Sequence, residues 1–257
     1  MPELFDLSGM SAIVTGSSRG IGFAIAQTLL NQGASVVVNG FSSEETDNAV
    51  SRLTTESDEA RVVAAAGDVT DQTAVEEIIE TALATFGSLD HVICNAGIDI
   101  IKPAIDYTPD EWDRVITVNL RGAFQISQTA ARHWIANGLP GSVTVTSSVA
   151  GSVGIPTLAP YAASKGGVNQ MVRTLAAEWA PHHIRVNAVA PGYVANIMDN
   201  VLAHEDPASD RRIQAFTPLG RRANLDEIAG PFAFLASRAA TYVTGAIIAV
   251  DGGYTAV

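Results

Sequence analysis

With 257 residues, 47% of them apolar and 16% charged, the chain can fill one large hydrophobic core, and a single α/β domain fits that length as well as two small ones. A net charge of −12 and an isoelectric point near 4.7 argue against a nucleic-acid or anionic-membrane surface as partner. Cys94 is the only cysteine, which excludes an internal disulfide and a cysteine-based zinc site; with no basic, apolar leader and no apolar run of about eighteen residues, a cytoplasmic protein without a membrane span is expected.

Short β-branched runs alternate with helical patterns along the chain, which is the mark of βαβ units around a parallel sheet buried on both faces. The first strand is predicted at Ala12–Thr15 and the first helix near Gly20–Asn31. Between them Gly16, Gly20 and Gly22 permit a tight turn in which the backbone can approach a pyrophosphate at a helix N-terminus. A second strand, Ser35–Asn39, runs into Gly40-Phe41-Ser42-Ser43 and a helix near Glu44–Leu53. The third, Val62–Ala65, precedes Asp68 and a helix over Asp71–Phe86 with Asp71 as its cap. The fourth, His91–Cys94, places the thiol as a buried strand-end group, followed by one long helix over Pro109–Ala136 that starts on a proline. Then come Ser142–Thr146, a helix over Tyr161–Ala180, Arg185–Val189, a helix over Leu225–Ala236 and a last strand at Ala246–Val250. Residues 191–219 form the one long non-strand connection, read as a substrate lid over the carboxyl ends of the strands. No linker or repeat divides the chain, so residues 1–257 are expected to form one doubly wound, Rossmann-type α/β domain with a seven-stranded parallel sheet.

Thirteen arginines meet almost every need for positive charge, yet one of the two lysines, Lys165, stands four residues after Tyr161. On a helix that spacing puts both on one face. A compact ammonium there is expected to pull the phenol down from about 10 towards neutrality, where it can act as a general acid/base.

The turn Thr15–Gly22 and Tyr161-x3-Lys165, taken with Asp68, Asn95-Ala96-Gly97, Asn119, Ser148, Pro191-Gly192 and Val250-Asp251-Gly252-Gly253, resemble the short, single-domain branch of the short-chain dehydrogenase/reductase family over essentially the whole chain. The resemblance implies a catalytic set of Asn119, Ser148, Tyr161 and Lys165, with Ser148 thirteen residues before Tyr161. Tyr161 exchanges the substrate proton, Ser148 bonds the substrate oxygen, and Asn119 fixes a water that connects Lys165 to solvent. It also implies a dinucleotide site. Gly16, Ser18, Arg19, Gly20, Ile21 and Gly22 form its turn, and Phe41 and Ser42 lie near the ribose 2′ position. Asp68 and Val69 meet adenine and Asn95, Ala96 and Gly97 the adenosine ribose, while Tyr161, Lys165, Pro191, Gly192, Val194 and Asn196 surround the nicotinamide half. Family members carry Thr where Asn196 stands.

NAD-preferring relatives commonly have Asp at the position of Gly40, and NADP-preferring ones a base at Arg19, so NADP(H) is favoured over NAD(H), with Phe41 as counter-evidence. Candidate pocket residues (Ile98, Asp99, Gly151, Ile155, Pro156, Tyr193, Met198 and Leu202) are mostly apolar and include no cation clamp, which favours a neutral small-molecule carbonyl or alcohol substrate. Alternatives are a 3-oxoacyl-carrier-protein reductase, using Arg121, Arg132 and Arg173 as a basic patch, a gluconate-like sugar or polyol dehydrogenase, and a non-catalytic cofactor sensor. Family likeness implies a homotetramer or homodimer built on the two long helices, whose Phe124, Trp134, Val168, Met171 and Trp179 serve equally as internal core. His133, His182, His183 and His204 have no ligand spacing with nearby acids, so no catalytic metal is expected.

Overall fold

A strand buried on both faces must send alternate side chains to two separate cores. The computed structural model describes residues 4–55, 59–195 and 207–257, and in it this alternation builds the whole sheet. The strands are β1 (Ser11–Val14), β2 (Ser35–Val38), β3 (Val62–Ala64), β4 (His91–Cys94), β5 (Gly141–Thr146), β6 (Ile184–Pro191) and β7 (Ile247–Val250). They lie in the order β3-β2-β1-β4-β5-β6-β7, all parallel, with Ile13 level with Val37 and Val92, and Val143 level with Val186. The helices are α1 (Gly20–Asn31), α2 (Ser43–Thr54), α3 (Gln72–Phe86), α4 (Pro109–Ile116), α5 (Ala123–Asn137), α6 (Ala159–Trp179), α7 (Pro207–Phe216) and α8 (Leu225–Ala236).

Ile13, Val37, Val92, Val143 and Val186 join the core under α3, α5 and α6. Their neighbours Val14, Val36, Val38, Ile93 and Val189 join the core under α1, α2 and α8. Each such side chain contributes about 1.5–3 kcal/mol by leaving water. Trp134, Val168 and Trp179 are buried in the first core, and the Trp134 Nε1–H donates to the Leu89 carbonyl at 2.6 Å. Phe124 and Met171 pack on its margin. The Cys94 thiol is buried against Ala123 and Ser127, and burial pushes it up to about 12.

Local signals place the helix starts. Asp71 caps α3 by accepting from Thr73 N at 2.8 Å, and Thr108 and Glu111 form a reciprocal capping box before α4. Two sequence expectations change. The predicted helix over Pro109–Ala136 is broken: Thr117–Gly122 forms a π-helical turn between α4 and α5. Apolar periodicity does not register one extra residue in a turn, and such turns cluster at functional positions. The strand predicted to end at Val189 runs on as β6 to Pro191, and within the rest of the connection 191–219 Val194 bridges Ala223 and α7 spans Pro207–Phe216.

Strand order reverses between β1 and β4, so a crevice opens at the carboxyl edge there. At the amino half of the sheet His91 is 1% exposed, its Nε2 lies 3.3 Å from Thr144 Oγ1, and Nδ1 has no protein partner. Burial, helped by the Arg185 charge, lowers its pKa to about 3. The unfolded chain therefore binds a proton at His91 below about pH 6.5 that the fold refuses, so stability is complete above that pH and falls towards pH 3 at about 1.4 kcal/mol per unit. Replacing His91→Leu should flatten the pH dependence of the urea midpoint, by about 2 kcal/mol between pH 6.5 and 5, against the wild-type curve.

Candidate active site

The turn after β1 is shaped by close approach. Gly16 has φ +61°, and a Cβ on it would stand 2.8 Å from Ala96 Cα. A Cβ on Gly22 would fall 2.2 Å from the Gly16 carbonyl and 2.5 Å from Asn95 Nδ2. Asn95 clamps the turn, donating from Nδ2 to the carbonyls of Thr15 at 3.1 Å and Gly16 at 3.0 Å while its Oδ1 accepts from Thr146 Oγ1 at 3.1 Å. Thr15 Oγ1 in turn accepts from the N–H groups of Asn95 and Ala96. Arg19, ahead of α1, makes no side-chain cap, so the amides of Gly20, Ile21 and Gly22 face the crevice as an anion-binding helix start. These residues fit a dinucleotide phosphate: backbone donors, a dipole end, and no side-chain bulk.

Around this turn, Ser18 lies beneath Gly40, where an added Cβ would be 2.6 Å from Thr46 Oγ1 and 3.2 Å from Ser18 Cβ. Phe41 is 82% exposed, and Ser42 caps α2 by accepting from Glu45 N at 3.4 Å. The Arg19 guanidinium stands 3.9 Å from the Glu45 carboxylate, both largely exposed. Asp68 accepts from Thr70 N at 2.8 Å and leaves the helix cap to Asp71, while Val69 is buried against Gly122. At the end of β6, Gly192 is pressed against Asp251, with a would-be Cβ 2.8 Å from its Cα, and Val194 is buried. Asn196, Met198, Leu202 and His204 lie outside the described residues.

The π-turn presents Asn119, 1% exposed, to the end of β4. Its Oδ1 accepts from Ile98 N at 2.8 Å, and its Nδ2 donates to Ile98 O at 2.9 Å and Ser164 Oγ at 3.1 Å. That side chain thus ties the β4 exit to α6.

The two serines ending β5 have separate surroundings. Ser147 is buried and donates to Asn169 Oδ1 at 2.6 Å, whereas Ser148 is part exposed, accepts from Ala150 N at 3.1 Å and acts on the Tyr161 phenol to favour its ionised form. Lys165 is 4% exposed, donates to the Thr146 carbonyl at 2.7 Å and holds Nζ 5.4 Å from the Tyr161 ring centroid.

The expected fall in the Tyr161 pKa is not what the protein alone produces. Burial drives the phenol up to about 12, assisted by the Asp99 carboxylate and opposed by Ser148. Burial also drives Lys165 down to about 8. Desolvation outweighs the neighbouring ammonium because Lys165 spends its close contact on Thr146 O rather than on the phenol. At neutral pH this site holds a protonated phenol beside an ammonium.

A cavity of about 220 Å³ adjoins the loop just ahead of Tyr161, at Gly154–Thr157. Tyr193 and Tyr254 form a second wall, and Ile213 and Phe216 of α7 a third. Of the expected pocket residues Ile155, Pro156 and Tyr193 line it, while Gly151 instead packs on the Lys165 backbone, where a Cβ would meet Lys165 O at 2.8 Å. Thr157, Ile213, Phe216 and Tyr254 were missed. Their segments carry no motif, and only the tertiary fold brings them together. Thr157 holds φ +70°, a strained value for a β-branched residue; its carbonyl accepts from Lys102 N at 3.2 Å and Tyr107 OH at 2.8 Å. Among the described residues no three His, Cys, Asp or Glu side chains gather as a metal site.

Comparison with known proteins agrees with this geometry. Residues 16–255 match a family model described as enoyl-(acyl carrier protein) reductase. The chain is 37% identical to gluconate 5-dehydrogenase of Gluconobacter oxydans over 99% of its own length and 98% of that protein's. It is 38% identical to 3beta-hydroxysteroid dehydrogenase 1 of Eggerthella lenta, covering 97% and 95%. A gluconate 5-dehydrogenase from Burkholderia cenocepacia, solved in complex with NADP and tartrate, superposes with a TM-score of 0.93 at 36% identity over 100% and 99% of the two chains.

The tightest of these contacts is also the simplest to test. Gly22→Ala places a methyl carbon against backbone on one side and Asn95 on the other, and should cost about 1–3 kcal/mol in chemical denaturation while weakening nicotinamide dinucleotide binding measured by fluorescence titration.

Proposed function

The chain belongs to the short-chain dehydrogenase/reductase family, and on that premise we propose that Tyr161 is its general acid/base, Ser148 the partner of the substrate oxygen, Lys165 the charge behind the phenol, and Asn119 the residue that positions them. The protein is an oxidoreductase of CH–OH and C=O groups and transfers a hydride between NADP(H) and a carbonyl or secondary alcohol. One observation carries the assignment of roles: the buried Lys165 holds its Nζ 5.4 Å from the Tyr161 ring centroid, beside the phenol on which Ser148 also acts.

The bound nicotinamide supplies or accepts the hydride at its C4 carbon. In the reductive direction the Tyr161 O–H gives its proton to the substrate oxygen as the carbonyl carbon becomes a carbinol. Ser148 Oγ accepts from Ala150 N, so its own hydrogen is the one that can turn from the Tyr161 oxygen to the substrate oxygen and stabilise developing charge. Lys165 offsets the phenolate that remains. Burial keeps the phenol protonated at neutral pH, the form that gives a proton in the reductive direction.

A preference for NADP(H) over NAD(H) belongs to the same reading. Gly40 brings no carboxylate towards a 2′-phosphate, and Arg19 is held only by a loose, exposed ion pair, which contributes little and leaves the guanidinium available. The cofactor-facing role of Asn196, a lid over residues 191–219 on a single domain, a cytoplasmic location and assembly as a homotetramer or homodimer complete the proposal. Among the described residues no helix is long and apolar enough to cross a membrane. A second reading, oxidoreduction of an open-chain sugar acid, draws support from relatives named gluconate 5-dehydrogenase and 5-keto-D-gluconate 5-reductase.

Tyr161→Phe should lower kcat by about 1,000-fold or more in NADPH-dependent ketone reduction, with the NADPH Kd unchanged. Lys165→Arg should fail as well, because the wider guanidinium must fit a buried site where Nζ is held on the Thr146 carbonyl at 2.7 Å. Full activity in either variant overturns the assignment. Arg19→Ala should raise the Kd for NADPH about tenfold and leave that for NADH within about twofold, read by cofactor fluorescence; equal effects on both would remove the argument for NADP(H).

A further inference from the structure

The segment after β7 is a hydrogen-bonded knot. Asp251 Oδ1 accepts from Gly253 N at 3.0 Å, and Oδ2 accepts from Thr255 N at 2.9 Å and Thr255 Oγ1 at 2.6 Å. Burial opposes the charge on Asp251, yet these hydrogen bonds outweigh it and hold the carboxyl below its ordinary value. Gly252 (φ +63°) and Gly253 (φ +88°) turn the chain tightly against the exit of α7. A Cβ on Gly252 would lie 2.7 Å from Thr217 Cγ2, one on Gly253 3.0 Å from Pro218 Cγ, and Leu219 N donates to Gly252 O at 3.1 Å. The knot thereby sets Tyr254 edge-on to Tyr193, with centroids 5.4 Å apart and planes at 76°.

We propose that Tyr254 is a specificity-determining residue, and that the corner it makes with Tyr193 selects an uncharged ketone or secondary alcohol carried on a saturated ring system over an open-chain sugar acid. This rests on the reading of Tyr161 as the acid/base of a carbonyl oxidoreductase. Two ring planes near a right angle give a saturated ring an aromatic face on one side and an edge on the other, and Ile155, Pro156, Ile213 and Phe216 add apolar side chains to the lining. At about 220 Å³ the space is below the roughly 300–1,000 Å³ of drug-sized sites and suits a compact ring system.

Charge points the same way. Among the described residues that line the cavity none is ionic. Of the described cations in neighbouring segments, Lys102 is paired with Glu111 at 2.5 Å and Arg221 with Glu227 through two contacts of 2.7 Å, Arg222 lies 6.0 Å from the Tyr193 ring centroid as a cation–π neighbour, and Arg211 of α7 is exposed. The Asp99 carboxylate already disfavours negative charge on the Tyr161 oxygen, and a substrate carboxylate nearby meets the same field.

The test uses the full chain with NADPH and two ketones: decalone, a fused pair of saturated rings, and 5-keto-D-gluconate. Decalone should have the higher kcat/KM by about tenfold or more. Tyr254→Ala should lower kcat/KM for decalone by about tenfold, mainly through KM, with the NADPH Kd unchanged, and Tyr254→Phe should stay within about twofold because the ring face does the work. Asp99→Asn should improve 5-keto-D-gluconate relative to decalone. A wild-type preference for 5-keto-D-gluconate, or a Tyr254→Ala variant with an unchanged KM for decalone, overturns the proposal. If neither ketone turns over, the reading of Tyr161 is what has failed. Calorimetry of decalone with the protein–NADPH complex then decides the cavity: saturable binding lost in Tyr254→Ala upholds it, and no binding overturns it.

Discussion

The side-chain amide of Asn119 is the contact on which the site's geometry depends. It pairs with both the N–H and the carbonyl of Ile98, as a neighbouring strand would, and its remaining hydrogen reaches Ser164 Oγ. Ser164 passes the constraint on by donating to the Tyr161 carbonyl at 2.7 Å. One buried amide thus ties the exit of β4, where the crevice opens, to the first turns of α6, which carry Tyr161 and Lys165. The π-turn makes this possible by swinging Asn119 out of regular helical phase. Low surrounding polarity strengthens each of these bonds and makes a missing partner costly.

The protein holds its acid/base pair in an unusual charge balance. Burial raises the phenol and lowers the ammonium, moving the two groups apart in opposite directions from where a solvent-exposed pair would sit. Ser148 opposes that trend at the phenol. Asn169 takes the hydrogen of Ser147, which favours its neighbour Ser148 as the serine proposed to meet the substrate.

Much of the fold was legible in the sequence because its signals are local. Helix α1 over Gly20–Asn31, α8 over Leu225–Ala236 and β4 over His91–Cys94 follow from periodicity, caps and β-branched runs, and the glycine turn from its place between a strand and a helix. What escaped depends on tertiary packing. The π-turn adds a residue without disturbing the apolar pattern, so Pro109–Ala136 read as one helix. The direction of the Tyr161 shift depends on how much water the fold removes, which spacing to Lys165 does not report. Trp134, Val168 and Trp179 looked available for a partner and proved to be filled from within. Tyr254 sits in a segment whose glycines signal a turn but not what that turn leans against.

The scarcity of lysine has a chemical consequence on the outside of the molecule. With Lys165 buried and Lys102 locked to Glu111, the side chains offer reagents that seek primary amines almost nothing at the surface. Lys165, whose pKa lies near 8, keeps a larger unprotonated and therefore nucleophilic fraction than any ordinary lysine at the same pH. Its burial against the Thr146 carbonyl keeps that amine from reagents in bulk solvent, so amine-directed acylation of the side chains has almost no foothold on this protein.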